Sequence, residues 1–391
     1  MSKKIFGAVA GLAAASLLVA ACGGSTSSSE SSSAAAPAAS EAASAAATAA
    51  ASEMASEAAA TGGKVCVILP DTASSARWDG ADKPFLEEAF TAAGVEFDVQ
   101  NAGGDKAKFA TIADGMLAGG CTAMGIVNLD SDTGAAVIAK ATAAGVPVVD
   151  YDRLTLGGGA QYYVSFDNVA VGTTIGEGLI KCLNDAGVTE GPIAYLNGSP
   201  TDNNATLFKE GYQTAIEAAG YTVTADESVP DWDNTKAGTI FEQMYTKANG
   251  DFVGVAAAND GLGGAVVSVL DRNGQAGKIF TTGQDATDEG LQRVLLGTQC
   301  MTVYKAVKQE ADAAAALLIA LSSGDTAAAD AAVTGATADS VSGQDVPSVL
   351  LVPQAIFPEN VKDVVADGYT TADKICTTDE LKAKCAEFGV Q

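Results

Sequence analysis

Five polar clusters stand where apolar runs end: Ser74-Ser75-Ala76-Arg77-Trp78, Tyr151-Asp152-Arg153, Asp202-Asn203-Asn204, Asn259-Asp260 and Gln284-Asp285. Their chemistry is hydrogen bonding rather than bond making. A carboxylate only accepts, a guanidinium only donates and an amide does both. Such a mixture satisfies a ligand covered in hydroxyls once that ligand has left water. A sugar ring also carries C–H faces that call for an aromatic plate. Trp78 and Trp232 are the chain's two tryptophans, and each lies among polar residues, Trp232 within Pro230-Asp231-Trp232-Asp233. The plainer reading of each tryptophan is core packing. Asp285, after Gly283-Gln284, is harder to read that way, because a carboxylate at a strand end facing a cleft needs partners.

Most reaction chemistry has no residues here to carry it. The chain has no histidine, which removes Ser-His and Cys-His nucleophilic catalysis and argues, with the lack of any CxxC spacing, against a zinc site. No GxxxxGKS/T phosphate loop occurs, and no pair of acids is marked out as the two carboxylates of a glycosidase. Acids outnumber bases 48 to 22, a formal charge of -26, which argues against nucleic acid and against adhesion to an anionic membrane. No cofactor is expected.

The elements that must position these clusters alternate regularly. Residues 65–69, 97–99, 124–127, 146–149, 193–196, 253–257 and 279–282 read as short buried strands. Between them, residues 84–93, 107–118, 134–144, 169–186, 205–219, 234–248 and 261–273 are rich in alanine, with apolar residues at helical spacing. Val171, Ile175, Leu179 and Leu183 form one such stripe. Four of these helices end in Ala-Gly, at Gly94, Gly145, Gly187 and Gly220, where glycine takes the left-handed conformation that stops a helix. Repeated strand–helix–strand units specify α/β architecture with parallel sheets. In open sheets of this kind ligands sit beyond the carboxyl ends of the strands, where the clusters fall. Asn168 is expected to cap the helix that follows it.

The first residues speak of export. Lys3 and Lys4 precede an apolar run, Ile5 to Ala21, too short to span a bilayer comfortably. It closes on Leu18-Val19-Ala20-Ala21-Cys22, which resembles the lipobox of bacterial lipoproteins. That resemblance implies residues 1–21 as a signal peptide and Cys22 as a lipidated anchor. Residues 22–62, almost wholly Ala, Ser, Thr, Gly and Glu, then read as a linker that cannot bury enough apolar surface to order. Six cysteines remain beyond Cys22, an even number that permits three disulfides in an exported chain. Cys66 and Cys121 are a candidate pair across neighbouring strands, and Cys376 with Cys385 a candidate clip on the tail. Buried free thiols are the competing reading.

Seven collinear phrases sharpen the reading. They are Ser74-Ser75-Ala76-Arg77-Trp78, Val149-Asp150-Tyr151-Asp152-Arg153-Leu154, Tyr163-Val164-Ser165-Phe166-Asp167-Asn168, Gly198-Ser199-Pro200-Thr201-Asp202-Asn203-Asn204-Ala205, Ala258-Asn259-Asp260, Gly283-Gln284-Asp285-Ala286 and Thr302-Val303-Tyr304-Lys305. In this order they resemble the xylose-binding and multiple-monosaccharide-binding proteins of bacterial ABC importers. The resemblance implies a type I periplasmic-binding-protein fold: two similar lobes, three crossings between them, and a sugar enclosed at the hinge. Carried over by position, it implies ligand-binding roles for Arg77, Trp78, Asp152 and Arg153 from one lobe. It implies the same for Asn203, Asn204, Trp232, Asn259, Asp260 and Asp285 from the other, and for Lys305 where the chain crosses back. The expected boundaries are 63–166 plus 305–340 for the first lobe and 167–304 plus 341–391 for the second. The implied partners are a monosaccharide, xylose ahead of hexoses, and a membrane permease with its ATPase, served by a lipid-anchored monomer that is not an enzyme. A sugar-sensing receptor module without transport is the alternative. A transcriptional regulator on the same fold would begin with a basic DNA-binding helix pair rather than an export signal.

Overall fold

The computed structural model describes residues Gly63–Gln391. The export signal, Cys22 and the linker lie outside these residues. Within them the chain begins as expected through four strands, β1 (Lys64–Leu69), β2 (Phe97–Asn101), β3 (Cys121–Ile126) and β4 (Val148–Tyr151), joined by helices. β5 (Tyr162–Phe166), a strand the sequence reading did not include, follows β4 with no helix between them, and the five pair in parallel. β1 shows why its sequence is apolar throughout. Val65, Val67 and Leu69 pack on one face with Leu86, Phe90 and Leu317, while Cys66 and Ile68 pack on the other with Phe109, Ile112 and Ile138. Successive side chains of a strand point to opposite faces, and both faces of this strand are covered by helices.

After β5 the helix Asn168–Asp185 leads into a second parallel sheet of β6 (Pro192–Asn197), β7 (Thr222–Ser228), β8 (Gly254–Ala257) and β9 (Phe280–Thr281). Its strand order is β7-β6-β8-β9. The stripe Val171, Ile175, Leu179 and Leu183 is fully buried against it. Burial of each such side chain contributes about 1.5–3 kcal/mol. The glycines at 94, 145, 187 and 220 all have positive φ, between 66° and 86°.

β10 (Thr302–Tyr304) runs beside the segment after β9, with Asp285 N donating to Val303 O and Val303 N to Gly283 O. The chain then re-enters the first lobe through the helix Val307–Ser322, whose Ala311, Ala314, Leu317 and Leu318 join the core beneath β1 and β3. β11 (Gly335–Ala338) and β12 (Asp345–Leu351) form an antiparallel pair, and β12 lies parallel to β5. The larger sheet therefore reads β11-β12-β5-β4-β3-β1-β2.

This corrects the expected boundary after residue 340. β12 belongs to the first lobe, and the third crossing lies between Leu351 and β13 (Gln354–Ile356), which pairs antiparallel with β10. Val346, Val349 and Leu351 are buried where β12 extends the larger sheet. Pro347 and the polar residues around it disguise the strand in the sequence. The two sheets and three crossings are those of the type I periplasmic-binding-protein fold.

Cys66 bonds to Cys121 across β1 and β3, Cys376 to Cys385 within the C-terminal tail, and Cys182 to Cys300, a pair the sequence left open. Among the described residues no helix is long and apolar enough to cross a membrane.

Candidate binding cleft

The carboxyl ends of both sheets face a single cleft. From the larger sheet come Ser74, Ser75, Arg77 and Trp78 after β1, and Asp152 and Arg153 after β4. From the smaller sheet come Asp202, Asn204 and Phe208 after β6, Trp232 after β7, Asn259 after β8, and Gln284 and Asp285 after β9. Lys305 enters from the crossing after β10. Arg153 pairs with Asp202 and Asn259 donates to Ser74 from wall to wall. The cleft is shut, and side chains bridge it directly.

Helix starts position much of the smaller-sheet wall. Asp202 caps the helix Asn203–Ala218, its Oδ1 accepting from Asn204 N at 2.9 Å. Its other oxygen accepts Trp232 Nε1 at 3.0 Å and pairs with Arg153 Nε at 3.0 Å across the cleft. Asn259 caps the helix Asp260–Arg272 through Leu262 N and donates its Nδ2 to Ser74 O on the opposite wall. A cap satisfies amide groups that the helix cannot. Here the same side chains also face the cleft.

Three site residues hold uncommon backbone conformations. Asp152 has φ 60°, Trp232 φ 55° and Asp285 φ 96°. Left-handed values are costly for side-chain-bearing residues, tryptophan above all, and such strain persists only where the surroundings enforce it. Trp232 is enforced by its indole bond to Asp202 and by Gly198, where a Cβ would stand 2.0 Å from the ring. Trp78 donates its Nε1 to Ser74 Oγ at 3.0 Å, and the guanidinium carbons of Arg77 and Arg153 lie 4.6 and 5.5 Å from its ring centre. Each tryptophan offers an apolar body with its polar tip tied off.

Beneath the larger-sheet wall lies an ion network. Arg77 grips Asp82 through Nε at 2.8 Å and one terminal nitrogen at 2.6 Å. That nitrogen also donates to Glu310 Oε2 at 2.5 Å, and the other terminal nitrogen donates to Asp152 Oδ2 at 3.0 Å. Tyr151 OH donates to Asp82 Oδ1 at 2.6 Å. Lys305 Nζ stands 3.2 Å from Asp285 and 3.7 Å from Asp152. Counting the cleft pairs, three cations (Arg77, Arg153, Lys305) face five acids (Asp82, Asp152, Asp202, Asp285, Glu310).

The excess of acid is met by burial, which raises the carboxyls of Asp82, Asp202 and Glu310 above their ordinary values. Burial, which Arg77 only partly offsets, pushes the Glu310 carboxyl up to about 8, and Glu310 Oε1 is buried without a hydrogen-bond partner. For Asp152, burial is outweighed by Lys305, Arg77 and Arg153, which hold its carboxyl below the ordinary value. A charged Asp152 beside a neutral Glu310 is one arrangement that lowers the surplus charge.

Residues 65–326 match the family model described as periplasmic binding protein domain. The chain belongs to the periplasmic binding protein family. It is similar to the D-xylose-binding periplasmic protein of Escherichia coli, 30% identical over 298 residues, covering 75% of this chain and 87% of that one. It is also similar to the multiple sugar-binding periplasmic receptor ChvE of Rhizobium radiobacter, 30% identical over 80% of this chain and 92% of the receptor. Among solved structures, an ABC transporter solute-binding protein from Clostridium phytofermentans with bound β-D-glucose superimposes with a TM-score of 0.72. It is 25% identical, with 80% of this chain and 99% of that one covered. Periplasmic binding proteins bind solutes and are not enzymes.

Of the ligand-binding candidates, this binding protein brings Arg77, Trp78, Asp152, Arg153, Asn204, Trp232, Asn259, Asp285 and Lys305 to the cleft. Asn203 and Asp260 do not line it. Asn203 is the first residue of its helix and half-buried. Asp260 turns under the wall, accepting Gln299 Nε2 at 2.7 Å and Thr287 N at 2.8 Å, in a niche that Cβ atoms at Gly283 and Gly290 would fill. Asn204 lines the cleft with its amide engaged: Nδ2 donates to Asp152 O at 2.8 Å, and Oδ1 accepts from Asn168 at 3.0 Å. Asn168 also donates to Tyr163 OH at 3.0 Å, so it ties β5 of the first lobe to Asn204 of the second. The helix cap expected of it is Asp167, which accepts from Ala170 N.

Sequence reasoning passed over Gln284 as an individual site residue. Its Oε1 is buried at the cleft without a partner, an acceptor free for a hydroxyl. It also passed over Asp82 and Glu310. Glu310 lies among Lys308, Gln309 and Asp312 in the first turns of the helix Val307–Ser322, so nothing in the sequence set it apart.

Proposed function

We propose that this chain is the extracytoplasmic solute-binding component of an ABC importer, capturing a monosaccharide by hinge closure and delivering it to a permease with its ATPase. Xylose is favoured over glucose, galactose and arabinose. The observation that carries the reading is a polar cleft walled by both lobes, with charged and amide groups around its rim and two tryptophans beside them. A pyranose asks for that combination, and a buried acceptor such as Gln284 Oε1 favours a ligand that brings hydroxyl donors. The named activities of the Escherichia coli relative support xylose, and the glucose-bound relative makes glucose the runner-up. Lipid anchoring through Cys22 and a monomeric state belong to the same proposal.

Entry of a sugar exchanges cross-cleft bonds for bonds to ligand. Ser75 Oγ to Asp285 at 3.1 Å, Arg153 to Asp202 and Asn259 to Ser74 all join the two walls directly. Hinge rotation parts them, and hydroxyls take their places on closure. A stranded polar group costs about 1–3 kcal/mol, so sugars lacking one matching hydroxyl are disfavoured about tenfold or more. Calorimetric titration against xylose, glucose, galactose, arabinose and ribose tests this. Selective binding at micromolar or lower concentration supports the reading; absence of heat across the panel removes the monosaccharide.

A further inference from the structure

The position-by-position carry-over makes Arg77 a ligand contact, and Arg77 does line the cleft, but most of its hydrogen-bonding capacity is spent on acids. Nε and both terminal nitrogens are committed to Asp82, Glu310 and Asp152, within a pocket where the arginine side chain is 1% exposed. A guanidinium has five N–H donors in a fixed fork, and four hydrogen bonds to three acids leave it nearly saturated. The acids that orient it come from different elements. Asp82 ends the turn that begins at Trp78, and Glu310 lies one turn into the helix that follows the second crossing. The third acid, Asp152, is the one that lines the cleft.

Asp152 has reason to need such support. Its φ is 60°, its main-chain carbonyl accepts from Asn204, Tyr163 and Ser165, and its carboxylate lies between Arg77, Lys305 and Asn204. A bidentate Asp82–Arg77 pair braced by Glu310 is a rigid strut, because the planar fork fixes where its remaining nitrogen points. We infer that Arg77 is a positioning residue: with Asp82 and Glu310 behind it, it holds the Asp152 carboxylate at the cleft, and it acts on ligand only through Asp152. The inference rests on the monosaccharide reading for its affinity readout.

The test is a double-mutant cycle on sugar affinity in the full chain, with Arg77→Met, Asp152→Asn and the double variant, and with Arg77→Lys as the charge-retaining control. Arg77→Met is expected to weaken binding about 100-fold in the wild-type background and less than about twofold once Asp152→Asn is present. Arg77→Lys, which keeps the charge without the fork, is expected to fall between Arg77→Met and wild type. Losses that multiply in the double variant would place Arg77 on the ligand and overturn the inference. A second measurement needs no ligand: the Asp152 carboxyl carbon is titrated by NMR in the wild type and in Arg77→Lys and Arg77→Met. Its midpoint is expected to rise in both variants, further in Arg77→Met; an unchanged midpoint overturns the inference. If the wild type binds no sugar of the panel, the monosaccharide reading fails, and the carboxyl titration alone decides the role of Arg77.

Discussion

The two walls of the cleft are built on different physics. The larger-sheet wall rests on buried charge, with the Arg77–Asp82 pair and the Glu310 carboxyl packed behind Asp152. The smaller-sheet wall rests on helix starts, with Asp202 and Asn259 capping helices while they face the opposite side. Buried ion pairs are weak evidence for stability, because desolvation consumes most of the Coulomb gain; their known use is to fix one arrangement. Caps contribute about 1 kcal/mol each to the helices they close. One wall therefore depends on charge state and the other on local backbone chemistry.

The largest expected effects come from the residues joining the walls. Arg153→Ala removes the cross-cleft pair with Asp202, and Asp285→Ala leaves Lys305 without its nearest acid. Each is expected to weaken sugar binding at least about 100-fold, since a desolvated charge left without its partner costs about 2–5 kcal/mol. Circular dichroism should report a folded chain in both cases. Wild-type affinity in either variant would break the account of the joined walls.

A smaller effect isolates the smaller-sheet wall. Gly198→Ala places a methyl against the Trp232 ring and must displace the indole from Asp202. Affinity is expected to fall about tenfold, with stability lost by about 1–3 kcal/mol, the usual cost of overpacking. Asn259→Ala sits below it, with about 1 kcal/mol of stability lost with the cap. Chemical denaturation measures both, and equal losses in the two variants would mean that Trp232 has room to move.

The smallest effect belongs to the charged wall and appears through pH. Glu310 has an ordinary value of 4.5 and is raised by burial to about 8. Between those values the folded chain keeps a proton that the unfolded chain has released, so stability falls as pH rises through the window. Asp150 and Asp260, raised by burial to about 7 and about 6, act in the same direction. Glu310→Gln is expected to match wild type in melting temperature near pH 5 and to exceed it by a few degrees at pH 8. A parallel decline in the two proteins would show that Glu310 is already charged at neutral pH.

Much of this was legible in the sequence, for identifiable reasons. Strand ends marked by Asp152, Asp202, Asn259 and Asp285 are local features, and a parallel sheet puts all such ends on one side. Side-chain direction is not local. Asp260 and Asp285 read alike, as acids after buried strands, yet the niche beside Gly283 and Gly290 draws Asp260 under the wall. Glu310 meets Arg77 across 233 positions of sequence, a contact that exists only once the chain has crossed between lobes twice. β12 escaped notice because Pro347 interrupts a strand whose partner, β5, lies far upstream.

The measurement closest to the central claim uses the chain's own reporters. Its two tryptophans, Trp78 and Trp232, both line the cleft, so tryptophan emission, excited selectively over tyrosine, reports on that site. Titration with xylose is predicted to give a saturable change in emission at the same midpoint as calorimetry. That change should diminish in both Trp78→Phe and Trp232→Phe. Calorimetric binding of sugar with no change in tryptophan emission would contradict the account, because it would place the ligand somewhere other than between the two walls.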